Sequence, residues 1–476
     1  MEIYFLLGSL LVLMFCGLAL RKLWLGALLG MLLYMGFQWL VQADARSVAA
    51  PFLSGLVITI ELTLLLFGAY FFYQMLQSRR HFDSLNQITA AFSSRLAVAI
   101  VLCFFLGSFM EGIAGFGLPA MLIAPMLMAL GFRPLTCILM PLAANTVSVT
   151  FGALGTALRI GLGIHEPNDT THYVVLLNLA PIMLLPWGLA ALYAQSEQTP
   201  FNLRQNWKML LSAGAAYAAL YGIISVFTTE YGVIVAGVGG LLIFVLLNVP
   251  RDRQPPLSLW LKTFYPYIAF VALLLIARRM LAGHYWQMDP QVRPLSWYQP
   301  GAVFVLTGLL YGLFLVKPAL RIRDFGHLSR STARMIAKAT LTIFLLVSYA
   351  QIIRSDLSAL APDYLQGQSD FARLLICPLL GIFGSFLSGS ATMSNIIFGG
   401  AVQALSSERL ALLVALLHTG AAVGNAISLQ NILMVKSVVS GHGTDYAQIL
   451  KRNILIVGAY WLVAVALGYA LMGPNQ

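Results

Sequence analysis

The chain has 476 residues, of which 59% are apolar and 9% are charged. An average soluble domain carries roughly 25% charged residues, so this composition, with a mean hydropathy of +0.84, excludes a soluble enzyme, a disordered chain and a secreted disulfide scaffold. The net charge of +11 comes from basic residues in short loops between apolar runs, which is typical of cytoplasmic loops and not of a nucleic-acid-binding face.

Apolar runs of span length follow one another along the whole chain. They lack period-2 alternation, which excludes a β-barrel. Because a transmembrane helix needs about 20 such residues, the pattern predicts an all-α polytopic membrane protein with about 12–14 transmembrane helices. The predicted spans are 3–20, 23–42, 52–77, 88–110, 134–158, 173–194, 208–228, 231–249, 262–282, 300–316, 338–353, 371–388, 410–435 and 453–472.

The longest predicted loop, 317–338, is strongly basic. It holds six Lys or Arg residues against one acid, Asp324. Positive charge holds a loop in the cytoplasm. We therefore predict a basic cytoplasmic loop here.

Two apolar stretches contain features that break a helix. Residues 111–119 hold three glycines and Pro119, which no regular helix accommodates. From Leu374 to Ser407 no charged residue occurs, and this stretch is too long for one span and too short for two. Its middle, 388–395, is small and polar. Each stretch therefore predicts a re-entrant hairpin, whose irregular backbone must be buried in protein or line a wet cavity.

The two breaks correspond to each other in sequence. Residues 107–112 (Gly-Ser-Phe-Met-Glu-Gly) align with residues 384–389 (Gly-Ser-Phe-Leu-Ser-Gly), and a second interrupted apolar run follows each break. Such paired interruptions point to a transporter built from two inverted repeats, with its substrate site at the breaks. The predicted halves are 1–228, with the first broken motif at 107–158, and 229–476, with the second at 384–435.

Helices that start inside the membrane can bind a small anion. Their first N–H groups are unpaired and their dipole is positive at that end. The alternative for each Ser or Thr is helix packing. The candidate substrate-binding residues are Gly115, Gly117, Asn145, Thr146, Ser390, Thr392, Ser394, Asn395, Thr419 and Asn425.

Three ionisable residues inside apolar runs are candidates for ion coupling, namely Glu111, Glu61 and His418. Each has a structural alternative. Glu111 can cap the broken helix, Glu61 can pair with a cation such as Arg95, and a neutral His418 can bond a carbonyl group. Arg159 either binds a substrate carboxylate or extends its side chain to the membrane interface.

Five motifs together carry a family resemblance: 111–119, 130–134, 144–156, 388–398 and 418–430. They resemble those of the L-lactate permease family. The resemblance implies a proton-coupled symporter of lactate, glycolate and related 2-hydroxy monocarboxylates in a bacterial inner membrane. It also implies two inverted repeats with hairpins, as in the wider ion-transporter superfamily, where elevator motion is usual and dimers are common.

The chain departs from the family pattern at four positions. Leu118 stands where the family usually has Thr or Ser, and Leu429 where it usually has proline. Ala391 replaces a usual aspartate and Asn425 a usual lysine. Loss of both charged residues suggests a buried pair removed as a unit, because removing one partner alone leaves an unpaired buried charge.

The expected function is secondary active transport of a small organic anion, coupled to protons. The alternatives are a sodium-coupled carrier of another organic anion, an anion channel and a membrane enzyme. The histidines never pair at i, i+4, and no nucleotide-binding fingerprint or catalytic triad pattern occurs. We therefore expect no cofactor, no metal site, no nucleic-acid partner and no enzymatic activity. A lipid bilayer and a homodimer partner are expected.

Overall fold

The computed structural model of the protein describes residues 2–20, 22–41, 45–79, 81, 83–115, 117–200, 203–315, 322–439 and 446–472. Over these residues the chain is almost entirely helical. One short antiparallel pair, β1 (Tyr285–Trp286) and β2 (Leu295–Ser296), interrupts the helices.

The helices follow one another with short connections. In chain order they are α1 Glu2–Leu18, α2 Leu23–Leu40, α3 Ala45–Ser78, α4 Asp83–Thr89, α5 Arg95–Ile100, α6 Gly107–Ile113, α7 Leu118–Ala129, α8 Pro134–Ser148, α9 Gly152–Arg159, α10 Asp169–Glu197, α11 Leu203–Phe227, α12 Gly232–Asn248, α13 Leu257–Leu281, α14 Pro300–Leu310, α15 Ile322–Gln366, α16 Asp370–Ser388, α17 Ala391–Gln403, α18 Leu410–Gly424, α19 Leu429–Val438 and α20 Tyr446–Leu471. Turns of π-helix at Val101–Leu106 and Tyr311–Leu315, and of 3₁₀-helix at Val149–Phe151, Arg251–Arg253 and Asn425–Ile427, link some of them.

The predicted spans agree with the helices. Eleven helical segments of the described chain are long and apolar enough to cross a membrane. Shorter apolar helices at Tyr4–Gly17, Gly232–Asn248 and Pro300–Phe314 occupy the remaining predicted ranges. The prediction of an all-α multi-pass membrane protein is confirmed.

The chain forms two compact units, each assembled from separate stretches. Unit 1 comprises Met1–Phe92 and Asp252–Ile353, and unit 2 comprises Ser93–Arg251 and Arg354–Gln476. Each unit takes chain from both predicted halves, so the unit boundaries differ from the predicted boundary at 228/229. Both predicted breaks lie in unit 2. The inverted relation of the two halves stays a prediction.

In unit 1, α3 and α14 pack closely through small residues. A Cβ on Gly68 would overlap the carbonyl oxygen of Gly301, and a Cβ on Gly301 would overlap the backbone of Leu64. Glycine pairs of this kind let two helix backbones approach each other. Beside this contact the rings of Phe270 and Phe304 stack with their centroids 3.9 Å apart.

The predicted basic loop at 317–338 is wrong from residue 322 onward, where α15 begins. Its basic residues Arg323, Arg330, Arg334 and Lys338 lie exposed along that helix. Arg and Lys are good helix formers, so a run rich in these residues is compatible with a polar helix as well as with a loop. Residues 317–321 lie outside the described residues.

In unit 2, both predicted breaks interrupt helices. Between α6 and α7, Gly115 and Gly117 take φ of +61° and +76°, a conformation that favours glycine. Between α16 and α17, Gly389 takes φ of +73°, and α17 starts two residues later. The second break is therefore shorter than the predicted 388–395.

The interrupted runs after each break also share one pattern. A turn of 3₁₀-helix, Val149–Phe151, separates α8 from α9, and another, Asn425–Ile427, separates α18 from α19. The two stretches of chain in unit 2, Ser93–Arg251 and Arg354–Gln476, thus both contain a helix break followed by a 3₁₀ turn. An internal repeat would produce this common order.

Candidate functional site

A small cavity in unit 2 lies where the two interrupted regions meet. It has about 300 Å³ of empty volume, its open mouth included, which is at the small end of the range for small-molecule sites. Its lining residues come from both halves of the chain: Glu111, Val149, Gly152, Ala153, Ala157, Gly389, Ser390, Ala391, Thr392 and Asn425.

Glu111 is the acidic group of this cavity. It lies on α6 just before the first break and is 3% exposed. The side-chain amide of Asn145 on α8 lies beside its carboxylate, and the Ser148 hydroxyl donates to Asn145 Oδ1 over 3.2 Å. Glu111 Oε2 has no hydrogen-bond partner. This oxygen therefore has neither a hydrogen bond nor a counter-charge in the described structure.

The carboxylate fits because Gly152 faces it. A Cβ at Gly152 would lie 2.9 Å from Glu111 Oε1, which is too close for any other residue without movement. The 3₁₀ turn before Gly152 thus brings bare backbone against the acid.

A left-handed turn forms another wall of the cavity. Ala153, Leu154 and Gly155 have φ of +47°, +56° and +68°. A left-handed conformation costs a residue with a side chain about 1–2 kcal/mol, so two of these three residues are strained. Strained backbone persists only where surrounding structure imposes it, and it clusters at functional sites.

A buried ion pair supports this turn. Arg159 Nη1 lies 3.2 Å from Glu230 Oε1 and donates to the Leu154 carbonyl oxygen over 3.4 Å. Glu230 is 1% exposed. Arg159 is not among the residues that line the cavity, and its guanidinium pairs with Glu230 inside unit 2.

The second break supplies the opposite wall. The hydroxyl of Ser390 caps α17 by accepting from Met393 N over 3.4 Å. The N-terminus of α17, with Ala391 and Thr392 in its first turn, faces the cavity. The first N–H groups of a helix lack partners within the helix, so this end of α17 is suited to an anion.

Asn425 lies in the 3₁₀ turn after α18 and is 7% exposed. Its backbone carbonyl accepts from Asn431 Nδ2 over 3.2 Å, and the same amide donates to the Gly389 carbonyl over 3.3 Å. Asn425 Oδ1 has no hydrogen-bond partner. Asn431 thus links the second break to the second 3₁₀ turn.

Five candidates lie in supporting contacts outside the cavity. His418 Nε2–H donates to the Thr150 carbonyl over 2.7 Å, and Nδ1 accepts from Asn395 Nδ2 over 2.8 Å, which fits a neutral imidazole. The remaining hydroxyl groups bond inside helices or between them, as the packing alternative expects: Thr146 to Ala143 O, Ser394 to Gly381 O and Thr419 to Asn178 Nδ2.

Gly115, Gly117 and Glu61 have other places in the structure. The two glycines shape the first break: a Cβ on Gly115 would lie 2.7 Å from Ala153 Cβ, and one on Gly117 would lie 2.8 Å from Met434 Cε. Glu61 lies in unit 1, where Arg293 is its ion-pair partner at 3.7 Å. The suggested pairing of Glu61 with Arg95 is therefore wrong. Arg95 instead donates to the Gly131 carbonyl and lies over the ring of Phe132.

The cavity lining contains an acidic residue and no basic residue among the described residues. Of the described residues that line it, Glu111 can carry a charge and none is basic. A ligand anion would therefore meet one carboxylate, helix N–H groups and neutral polar side chains.

Comparison with known proteins decides the family. A sequence profile of the L-lactate permease family matches residues 3–255 and 253–473. The chain belongs to the L-lactate permease family. It is a multi-pass protein of the bacterial inner membrane and a membrane transporter.

Curated members of the family are distant relatives. The putative L-lactate permease of Haemophilus influenzae is 24% identical, with 76% of this chain and 77% of that protein covered. The L-lactate permease of Escherichia coli K12 is 25% identical over 82% and 81%. The glycolate permease GlcA of the same strain is 22% identical over 85% and 84%.

The sequence analysis did not identify several residues that line the cavity. Val149, Gly152, Ala153 and Ala157 are apolar or lack a side chain, so no chemical signal marked them. The closely spaced glycines of 152–155 (Gly-Ala-Leu-Gly) are a signal that could have marked this turn. Glu230 was missed because it lies outside the interrupted runs.

The left-handed turn predicts opposite effects for two cavity alanines of α9. Ala153→Gly should raise the free energy of unfolding by about 1 kcal/mol, because glycine relieves the left-handed strain. Ala157→Gly, in the helical part of α9, should lower it by about 1 kcal/mol. Unfolding of the detergent-solubilised protein measures both. Equal losses in the two variants would show that the turn is not strained.

The charge-pair hypothesis gains a geometric basis, because Ala391 and Asn425 line the same cavity. Ala391→Asp should destabilise the protein by about 3–5 kcal/mol, since it buries a second carboxylate beside Glu111 without a cation. Adding Asn425→Lys should restore most of that stability. Thermal unfolding in detergent is the measurement, and equal stability of the single and double variants would contradict the pairing.

Proposed function

We propose that this protein carries 2-hydroxy monocarboxylates such as lactate or glycolate across the membrane together with protons. The names of its relatives support the substrate class, since L-lactate and glycolate permeases are among them. Both acids are small anions with a hydroxyl group next to the carboxylate, which suits a small cavity.

The observation that carries the proton coupling is the buried carboxylate of Glu111, which has no counter-charge among the described residues that line the cavity. A substrate anion about 4 Å from an ionised Glu111 would lose about 4 kcal/mol at an effective dielectric constant of 20, which is roughly a thousandfold in affinity. A protonated Glu111 removes this repulsion and can donate a hydrogen bond to the anion. Anion binding and protonation of Glu111 therefore favour each other.

The substrate carboxylate would bind at the N-terminus of α17. The N–H groups there and the helix dipole favour negative charge, and the lining residues Ser390 and Thr392 add hydroxyl groups. In this proposal the two helix breaks are the tips of re-entrant hairpins. His418 has no place in the coupling path, because both of its ring nitrogens are bonded within the protein.

The test is uptake of labelled lactate and glycolate into proteoliposomes with an inward proton gradient. The wild type should accumulate either acid, and collapse of the gradient should abolish accumulation. Glu111→Gln should lose gradient-driven accumulation yet keep exchange of labelled for unlabelled lactate, because glutamine is neutral like the protonated acid. A structural role of Glu111 would remove both activities.

Glu166→Gln, in an exposed loop, is the matched control and should behave as the wild type. Gradient-driven accumulation by Glu111→Gln would contradict the coupling role. Accumulation that follows a sodium gradient and ignores pH would identify the alternative, a sodium-coupled carrier.

A further inference from the structure

A groove on the surface of unit 2 lies between α10 and α20. It has about 390 Å³ of empty volume, its open side included, and it shares no lining residue with the cavity at the helix breaks. The residues that line it from the two helices include Pro181, Leu184 and Gly188 of α10, and Ile456, Ala459 and Val463 of α20. A groove with this lining suits an apolar ligand.

The groove offers no free polar side chain within its described lining. The hydroxyl group of Tyr460 donates to Asn178 Oδ1, and the other lining side chains are apolar. Both helices are long and apolar enough to span a membrane, and Leu184 at the groove is 54% exposed. The open side of the groove therefore lies against the hydrocarbon layer, whose acyl chains are the apolar groups at hand.

The two helices that form the groove run antiparallel. A Cβ on Gly188 would lie 2.8 Å from Ile456 Cδ1. Tyr460, one turn further along α20, contacts Asn178, which comes earlier on α10 than Gly188. The start of α20 therefore lies on the same side as the end of α10.

Arg452 lies at the end of the groove nearest the start of α20. It precedes Ile456 by one helical turn on the same helix face. The 26 residues of α20 measure about 39 Å, against a hydrocarbon layer of about 30 Å. Arg452 is about 9 Å from the start of this helix, and helical side chains lean toward the N-terminus. Its guanidinium is therefore placed at the level of the lipid headgroups.

Arg452 has no compensating acid in the part of the chain that the structure describes. The residue is half-buried, its Nη1 has no hydrogen-bond partner, and it forms no ion pair with a described residue. Glu197, at the end of α10, accepts instead from the backbone N–H of Arg133 over 2.8 Å. A partly buried cation without a counter-charge is unfavourable, so this end of the groove is suited to an anionic group.

We propose that the groove binds an anionic phospholipid, with its phosphate at Arg452 and one acyl chain between α10 and α20. A basic group above an apolar groove between membrane helices matches the two parts of such a lipid. A second copy of the chain fits less well, because α20 carries Lys451 and Arg452 and no acidic residue. A two-fold contact through this helix would bring like charges together. The inference does not depend on the transported substrate.

The experiment measures lipid binding by native mass spectrometry of the full-length protein in detergent. The protein is titrated with phosphatidylglycerol, which is anionic, or with zwitterionic phosphatidylcholine of the same acyl chains. The first phosphatidylglycerol should bind the wild type about fivefold or more tightly than the first phosphatidylcholine. Arg452→Gln should bring this ratio close to one, and Arg452→Lys, which keeps the charge, should retain most of it.

Two further variants test the groove and the position of the charge. Ala459→Phe places a ring in the groove at an exposed position and should weaken binding of both lipids about tenfold, because it displaces acyl methylene groups. Leu462→Phe is its control, since Leu462 is 60% exposed and lies outside the groove lining. Lys451→Gln is the control for Arg452→Gln, because this exposed residue faces about 100° away around the helix. Both controls should bind both lipids as the wild type does.

Three results would overturn the proposal. The first is equal affinity of the folded wild type for the two lipids. The second is an equal loss in Arg452→Gln and Lys451→Gln, which would indicate a diffuse attraction of headgroups. The third is unchanged lipid binding by Ala459→Phe, and dissociation of a dimer by this variant would then identify a second copy as the occupant. If Arg452→Gln fails to fold, the comparison of Ala459→Phe with Leu462→Phe decides.

Discussion

The site depends on how the buried carboxylate of Glu111 is held. Asn145 lies beside it, Gly152 gives it room, and Oε2 is buried without a hydrogen bond. A buried charge without a partner is highly unfavourable, so the acid is stable in its neutral form or with a compensating ligand nearby. The proton-coupled transport proposed above follows from this constraint.

The surrounding backbone is built around the same constraint. Helices that ran straight through the cavity would satisfy their own N–H groups and would leave no space beside Glu111. Breaks at Gly115, Gly117 and Gly389 open that space, and the left-handed turn after Gly152 closes one wall. The ion pair of Arg159 and Glu230 supports that turn without adding net charge to its surroundings.

Much of the architecture could be predicted from the sequence, because membrane thickness fixes span length and glycine marks breaks. The spans, both breaks and the position of Glu111 at the first break follow from those rules. Contacts between distant stretches could not be predicted. Arg159 and Glu61 take partners, Glu230 and Arg293, that no local pattern reveals.

Two other differences have local physical causes. The left-handed turn includes Ala153 and Leu154, residues whose types do not favour that conformation, so only the tertiary structure imposes it. Hydroxyl side chains such as Thr146 and Ser394 bond their own or neighbouring helices, and composition alone does not distinguish these from residues that face a cavity. The predicted substrate set was therefore broader than the cavity lining.

The most direct test of the central claim is the number of protons taken up when substrate binds. Lactate is added to the detergent-solubilised protein in weakly buffered solution at a pH where Glu111 is ionised without substrate, and a pH indicator records the change. The account predicts uptake of about one proton per lactate bound by the wild type and none by Glu111→Gln, since anion binding favours the neutral acid. Lactate binding by the wild type without proton uptake over the whole pH range would contradict it.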